Sequence, residues 1–159
     1  MSLELFVLSD RKLSSIEEWR RAIDAAGFAL TLDTERSIEN LEGHLPARWN
    51  GEPAGFECDH WDAREVMREN GDIDFGRGWA HALAFRWGAD LKACVGAYMA
   101  AAAYAAATGG VVFDGEEGKV KTPKESLETA RRIEAEIPVI EARLKEMLSN
   151  IAAGKPTGS

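Results

Sequence analysis

The stretch from Trp79 to Trp87, WAHALAFRW, decides the fold because its side chains alternate in size with the two-residue period of a β-strand. The odd positions form a bulky face: Trp79, His81, Leu83, Phe85 and Trp87. The even positions form a small face: Ala80, Ala82, Ala84 and Arg86. Since both faces are mostly apolar, we predict a central strand here. The small face should let a helix approach the sheet closely.

The helix that should cover this strand follows it in the chain. Residues 93–112 (ACVGAYMAAAAYAAATGGVV) contain no charge, and alanine and glycine dominate them. These residues contribute little transfer free energy, and the Gly109-Gly110 pair is typical of a helix end. We therefore predict a buried helix over about 90–107 and no membrane span.

The first 32 residues carry the signals of a β-α-β unit. Residues 3–8 (LELFVL) favour a strand, and the Ser14-Ser15 pair lies three residues before glutamates, which is capping-box spacing. Apolar residues recur at helical spacing up to Gly27, and residues 28–32 (FALTL) favour a second strand. If the two strands are parallel, their crossover should be right-handed.

Turn signals divide the rest of the chain. Asn50-Gly51 predicts a type I′ hairpin between residues 45–49 and 56–61, and Asp114-Gly115 predicts a turn before a short strand at 119–121. Thr122-Pro123-Lys124-Glu125 combines an N-cap, a first-turn proline and a capping-box glutamate. A long C-terminal helix should begin there, with Pro138 kinking it or starting a second segment.

Together these patterns predict a two-layer α+β domain over residues 1–152. Its mixed sheet should have about five or six strands, including the opening β-α-β unit. The alanine-rich helix and the first helix should pack on the sheet, and the long C-terminal helix should close the domain. Residues 153–159 (AGKPTGS) have the composition of a disordered tail.

Composition excludes several classes of function. The net charge of −8 opposes the electrostatics that drive binding to nucleic acids or anionic membranes, so neither is an expected partner. The N-terminus lacks the charged and apolar regions of a signal peptide. Two widely spaced cysteines, Cys58 and Cys94, are not a disulfide framework. We therefore expect a cytoplasmic protein.

The segment Gly55-Phe-Glu-Cys-Asp-His-Trp61 (GFECDHW) concentrates reactive side chains. In an extended chain Cys58 and His60 point the same way, and His81 on the central strand offers a base. A small metal- or thiol-dependent hydrolase centred on these three residues is one hypothesis. The other is a structural strand with an acidic outer edge. Because no full ligand set, catalytic pairing or phosphate loop is present, we predict no cofactor, no metal and no catalytic residue.

Carboxylates and a tryptophan gather in the same region without a matching base or ligand set. This arrangement favours a non-enzymatic protein that binds a basic protein partner. The residues predicted to form the binding surface are Glu57, Asp59, Trp61, Asp62 and Glu65.

Two segments carry a family resemblance. Gly55-Phe56-Glu57, and the run Thr108-Gly-Gly-Val-Val-Phe-Asp114 after the alanine helix, resemble small bacterial α+β proteins of uncharacterised function, some of toxin-immunity type. The resemblance covers about half of the chain, and its motifs are turns and strand ends. It implies no catalytic residue, but it agrees with an acidic cytoplasmic protein that binds and blocks a partner.

Self-association is the last expectation. The C-terminal helix carries an apolar stripe with alternating steps of three and four residues: Ala130, Ile133, Ile137, Ile140, Leu144, Met147 and Ile151. This narrow stripe is typical of a helix that meets another helix. We predict a two-fold homodimer through this helix or through the bulky sheet face. The alternative, which Pro138 favours, is that the stripe packs on the chain's own sheet.

Overall fold

The computed structural model of the protein describes residues 3–152 and residue 154. Apart from Gly154, the predicted disordered tail lies outside the described residues. The helices are α1 (Ile16–Ala25), α2 (Ala63–Glu69), α3 (Leu91–Thr108) and α4 (Pro123–Ala152). The strands are β1 (Leu3–Ser9), β2 (Leu30–Leu32), β3 (His44–Leu45), β4 (Ala47–Trp49), β5 (Glu52–Pro53), β6 (Phe56–Trp61), β7 (His81–Trp87), β8 (Val111–Asp114) and β9 (Lys119–Lys121).

The strands form two sheets, which confirms the predicted α+β class. The larger sheet has six strands in the order β3-β6-β7-β1-β8-β9, and the smaller one has the order β2-β4-β5. The predicted mixed sheet is wrong, because each strand pairing among the described residues is antiparallel. Strands β7 and β8 flank β1 and run parallel to each other, so α3 crosses over β1 without creating a parallel pair.

The opening unit has the predicted elements in a different arrangement. Strand β1 lies inside the larger sheet, whereas β2 pairs with β4 in the smaller one, so no parallel crossover forms. Helix α1 begins as predicted, with the Ser15 hydroxyl accepting a hydrogen bond from the Glu18 N–H at 3.0 Å. Its Arg20 guanidinium donates to the Leu32 carbonyl oxygen at 2.8 Å. This contact holds α1 to the end of β2.

The Asn50-Gly51 hairpin is confirmed, but with a different second strand. Both residues have positive φ, 51° and 80°, as a type I′ turn requires. They join β4 to the two-residue strand β5, while the predicted partner β6 lies in the larger sheet between β3 and β7. The short β5 ends in Pro53, which suits an edge strand because proline cannot donate to a ladder.

The alanine-rich helix packs on the sheet as predicted, although on the opposite face. The bulky residues Leu83 and Phe85 share the main hydrophobic core with α3, whereas Ala82 and Ala84 face a second, smaller core. The reason is steric: α3 itself supplies the small side chains, so large sheet residues fill the space beneath it. Trp79 precedes β7 and packs against the second core, away from the predicted face.

The second core gives the sheet a third layer at one end. Phe6 and Phe113 from the central strands pack there with Val66 of α2 and with Phe75 from the loop after α2. The predicted two-layer packing therefore describes only the α1, α3 and α4 side of the sheet.

Helix α4 begins at the predicted capping box. The Glu125 N–H donates to Thr122 Oγ1 at 3.2 Å, and the Thr122 N–H donates to Glu125 Oε1 at 3.0 Å. The helix continues through Pro138 without a second segment starting there. Ala130 and Ile137 are buried in the main core, which confirms part of the predicted stripe as a core contact.

Helices α3 and α4 are antiparallel neighbours. Leu127, near the start of α4, lies beside Ala103 and Ala107, near the end of α3. At the other end, the pKa of Lys92 is raised first by its hydrogen bond with Glu52, and the charge of Glu141 raises it further. Glu141 therefore lies near the first turn of α3. Because α3 covers the bulky sheet face, the predicted alternative of dimerisation through that face is wrong.

Crossing a bilayer requires a helix that is both long and strongly apolar. No helix within residues 3–152 and 154 combines the necessary length with the necessary apolar character. In α3, eight of the twelve buried residues are alanine or glycine, as its sequence indicated.

Candidate functional site

Strand β6 and helix α2 position the predicted binding residues on one side of the molecule. On β6, Phe56 and Cys58 point into the main core, so the alternating residues Glu57, Asp59 and Trp61 face away from it. We use the name Trp61 surface for these three residues and the acidic residues around them. Its members are Glu39, Glu42, Glu57, Asp59, Trp61, Asp62 and Glu65.

Trp61 is the last residue of β6, beside Glu39, Glu42 and Asp59, and its side chain is held in a defined orientation. Its side chain is 37% exposed. Its ring lies 5.3 Å from the ring of Phe6, and the Arg86 guanidinium lies over it at 4.5 Å. Arg86 in turn approaches Glu4, with 3.6 Å between Nε and Oε2. A tryptophan fixed in this way retains apolar area for a partner at little cost in side-chain entropy.

Most of the acidic side chains around Trp61 have no lysine or arginine partner among the described residues. Asp59 accepts the Gly43 N–H at 3.0 Å, and Asp62 caps α2 by accepting the Arg64 N–H at 2.9 Å. Glu65 approaches Arg68 at 3.4 Å on the exposed face of α2. Within the described ranges, five carboxylates of the surface form no salt bridge: Glu39, Glu42, Glu57, Asp59 and Asp62.

Two shallow grooves lie beside Trp61 and Asp62. The first, of about 470 Å³, is lined by Trp61, His60, Asp59 and residues 39–42. The second, of about 560 Å³, is lined by Asp62, Met67 and Trp79 together with neighbouring residues. Each groove therefore places a tryptophan next to a carboxylate. Both are open to solvent, which suits contact with another macromolecule better than enclosure of a small ligand.

Glu39 and Glu42 join the surface through contacts that their local sequence did not indicate. They lie in and after a 3₁₀ turn over Ile38–Asn40. His60 Nε2 lies 2.8 Å from the Ile38 carbonyl oxygen, so this nitrogen carries the proton and holds the turn against β6. The hydrogen bond from Gly43 to Asp59 holds the other end of the loop. Both contacts connect residues far apart in sequence.

The alternative site centres on Cys58, His60 and His81, and the structure buries the Cys58 thiol. Cys58 is 1% exposed in the main core, and burial raises the pKa of its thiol well above the ordinary value, with the charge of Asp59 adding to the effect. The thiolate that a nucleophile or metal ligand requires is therefore disfavoured at neutral pH. Across residues 3–152 and 154, no three His, Cys, Asp or Glu side chains converge as a metal site would need.

Thiol reactivity tests this alternative directly. At pH 7.5 we expect Cys58 in the native protein to react with a disulfide reagent at least ~100-fold more slowly than free cysteine. Cys94 should also react slowly, because burial, followed by the charge of Asp114, raises its pKa to about 11. In denaturant both thiols should react at the free rate. Rapid reaction of Cys58 in the folded protein would instead support a thiol enzyme.

A buried polar cluster near the end of β8 has a structural explanation. The Tyr98 hydroxyl donates to Asp114, and burial, followed by this hydrogen bond, raises the pKa of Tyr98. Asp114 Oδ1 also accepts the N–H groups of Glu116 and Glu117 at 2.9 and 3.1 Å. The carboxylate therefore organises the turn between β8 and β9, and we assign it no binding role.

Comparison with protein-family models, curated proteins and solved structures found no match to this chain. We therefore infer its function from the geometry of the Trp61 surface.

Proposed function

We propose that this protein is a non-enzymatic binding protein whose Trp61 surface docks a basic protein partner. The observation that carries the proposal is the position of Trp61, which is 37% exposed among five carboxylates with no salt bridge inside the described part of the chain. A rigid aromatic anchor surrounded by unpaired charge is a common arrangement at protein interfaces.

Electrostatics supports a basic partner. The chain carries a net charge of −8, and long-range attraction accelerates encounter with an oppositely charged protein. Lysine and arginine side chains of the partner would pair with Glu39, Glu57 and their neighbours at the rim, while an apolar or aromatic group would contact Trp61. The Arg86 guanidinium already lies over this ring. A partner arginine could use the same stacking geometry on the exposed part of the indole.

The biological setting is part of the same proposal. An acidic protein that binds and blocks a basic partner in the bacterial cytoplasm fits the toxin-immunity type that two segments of the sequence resemble. Both cysteines are free thiols in the structure, which agrees with a reducing compartment. Binding of this kind requires no cofactor.

Comparative affinity purification from the native host tests the proposal. We expect the tagged wild type to recover one basic protein in near-stoichiometric amount, and Trp61→Ala to weaken that complex by about 30-fold or more. Glu39→Lys combined with Glu57→Lys should also abolish recovery, because four units of charge change on the docking surface. Neither carboxylate has a salt bridge or cap in the described structure that these substitutions would remove.

The matched control places the same change of charge elsewhere. Asp24→Lys combined with Glu136→Lys alters exposed residues of α1 and α4 and should leave recovery of the partner intact. Equal loss of the partner in both double variants would show that the change in net charge, and not the docking surface, causes the loss. The proposed function is wrong if the wild type repeatedly recovers no partner protein. It is also wrong if the surface variants recover the same proteins as the wild type.

A further inference from the structure

The C-terminal part of α4 extends past every element that covers its first half. Helix α3 has 18 residues and α4 has 30. Ile137 is the last buried residue of α4, so residues 138–152, roughly 22 Å of helix, follow the part that packs in the main core. Residues 141–149 are all exposed. We use the name distal segment for residues 139–152.

The distal segment continues the face that is buried in the first half of α4. Ala130 and Ile137 lie on this face in the main core, and Ile140 is half-buried at its edge. Beyond that point the same face is apolar and open to solvent. Its exposed large apolar side chains, each 47% to 66% exposed, are Leu144, Met147, Leu148 and Ile151, whereas Val139 is exposed on the opposite side of the helix.

Charge and composition narrow the choice of what covers this face. The distal segment contains Glu141, Arg143, Lys145 and Glu146, so its net charge is zero within a chain of net charge −8. Two copies can therefore approach here without repulsion. A membrane-binding helix would instead carry a polar face rich in lysine and arginine. Residues 153–159 contain no large apolar side chain that could cover the segment.

We propose that the distal segment pairs with the distal segment of a second copy as an antiparallel helix pair around a two-fold axis. Ile140, Leu144, Met147 and Ile151 follow one another by steps of four, three and four residues, which is the spacing of a helix-pairing seam. In the antiparallel register centred between Leu144 and Met147, Leu144 of one copy packs against Met147 of the second copy, and Met147 packs against Leu144. The outer layers then pair Ile140 with Ile151.

Electrostatics selects the antiparallel arrangement over the parallel one. A parallel pair would bring Glu136 of one copy close to Glu141 of the other and would place two acidic bodies side by side. The antiparallel pair places those bodies at opposite ends of the interface. Beside the seam, Arg143 of one copy faces Asn150 of the other, and Glu141 faces Leu148, so no like charges meet.

The available area is that of a weak interface. On the seam side Leu144, Met147, Leu148 and Ile151 are each about half exposed or more, so each copy contributes roughly 400 Å² of apolar surface and two copies together roughly 800 Å². We therefore expect a reversible dimer whose population depends on concentration.

Sedimentation equilibrium of the wild type and two double variants tests the pairing. Ile140→Glu combined with Leu144→Glu should raise the dimer dissociation constant by at least ~100-fold, because glutamates would be buried in the seam. The variant should remain folded by circular dichroism, since Leu144 is exposed within one copy and Ile140 is only half-buried. Ala142→Glu combined with Ser149→Glu adds the same charge to the opposite exposed face and should leave the dimer intact.

Spin-label distances test the orientation of the helices. Ala135 and Ser149 are both exposed on the side of α4 opposite the seam, and labels at Ala135→Cys should lie roughly 15 Å farther apart in the dimer than labels at Ser149→Cys. The measurement uses a Cys94→Ala background. Equal distances would overturn the antiparallel pair. A wild type that is monomeric at about 500 µM, or that binds lipid vesicles through this segment instead, would overturn the dimer.

Discussion

Replacing Trp19 with alanine is expected to lower the free energy of unfolding by about 3 to 5 kcal/mol. The Trp19 side chain is fully buried, and its ring meets the rings of Phe85 and Tyr104 edge to face at 6.0 and 5.3 Å. Its indole N–H also donates to the Ala100 carbonyl oxygen at 2.9 Å. One side chain therefore connects α1, the sheet and α3, and its removal leaves a cavity that alanine-rich surroundings cannot fill.

Urea denaturation followed by circular dichroism measures this loss. Trp61→Ala is the natural control, because it removes the same side chain from a partly exposed position and should cost about 1 kcal/mol or less. A decrease of less than about 1 kcal/mol for Trp19→Ala would show that α1 is not part of the cooperative core.

Gly96→Ala should also destabilise the protein, although alanine is the better helix former. A Cβ atom at residue 96 would lie 2.4 Å from the Ala54 carbonyl oxygen, and the backbone there cannot rotate away as a side chain could. The alanine gains about 1 kcal/mol of helix propensity, whereas overpacking of this kind costs about 1 to 3 kcal/mol and shifts the backbone. Because the overlap is with a backbone atom, we expect a net loss of about 2 kcal/mol.

The matched control for this substitution is Gly88→Ala. Gly88 follows β7 and does not require a left-handed backbone, and a methyl group added there would have no neighbour within 4 Å. Its replacement should change stability by less than about 0.5 kcal/mol. Thermal unfolding of both variants separates the two cases. Equal stability of Gly96→Ala and the wild type would show that the loop before β6 does not pack closely on α3.

Local signals in the sequence predicted local structure well. The capping boxes at Ser15 and Thr122 begin α1 and α4, because a side chain within three residues satisfies the first free N–H groups. The Asn50-Gly51 pair forms the hairpin turn because these residues tolerate positive φ. Each signal acts over a few residues, so it does not depend on how the rest of the chain packs.

Pairing between distant segments was less accessible to sequence reasoning. The alternating side-chain sizes of β7 predict a small and a bulky face, but which face α3 covers depends on matching side-chain volumes across the layer. The partner of β4 is the two-residue strand β5, which is too short to produce an alternating pattern. Strand order likewise follows from packing and leaves no periodic signal within one strand.

In the candidate site, too, local patterns were predictable from the sequence and contacts between distant segments were not. Glu57, Asp59 and Trp61 share a strand, so their common face followed from the two-residue period. Glu39 and Glu42 reach this surface only because His60 and Asp59 hold a loop about 20 residues earlier in the chain. The high charge density of the segment suggested chemistry for Cys58, whereas burial of its thiol depends on tertiary packing.

Hydroxyl-radical footprinting of the complex with the recovered partner tests most directly whether the Trp61 surface is the docking site. The probe oxidises exposed side chains, and Trp61 and Met147 are 37% and 49% exposed in the single chain. We predict that saturation with the partner strongly reduces oxidation of Trp61 and leaves that of Met147, on the distal segment, unchanged. Unchanged oxidation of Trp61 in a saturated complex would contradict this assignment.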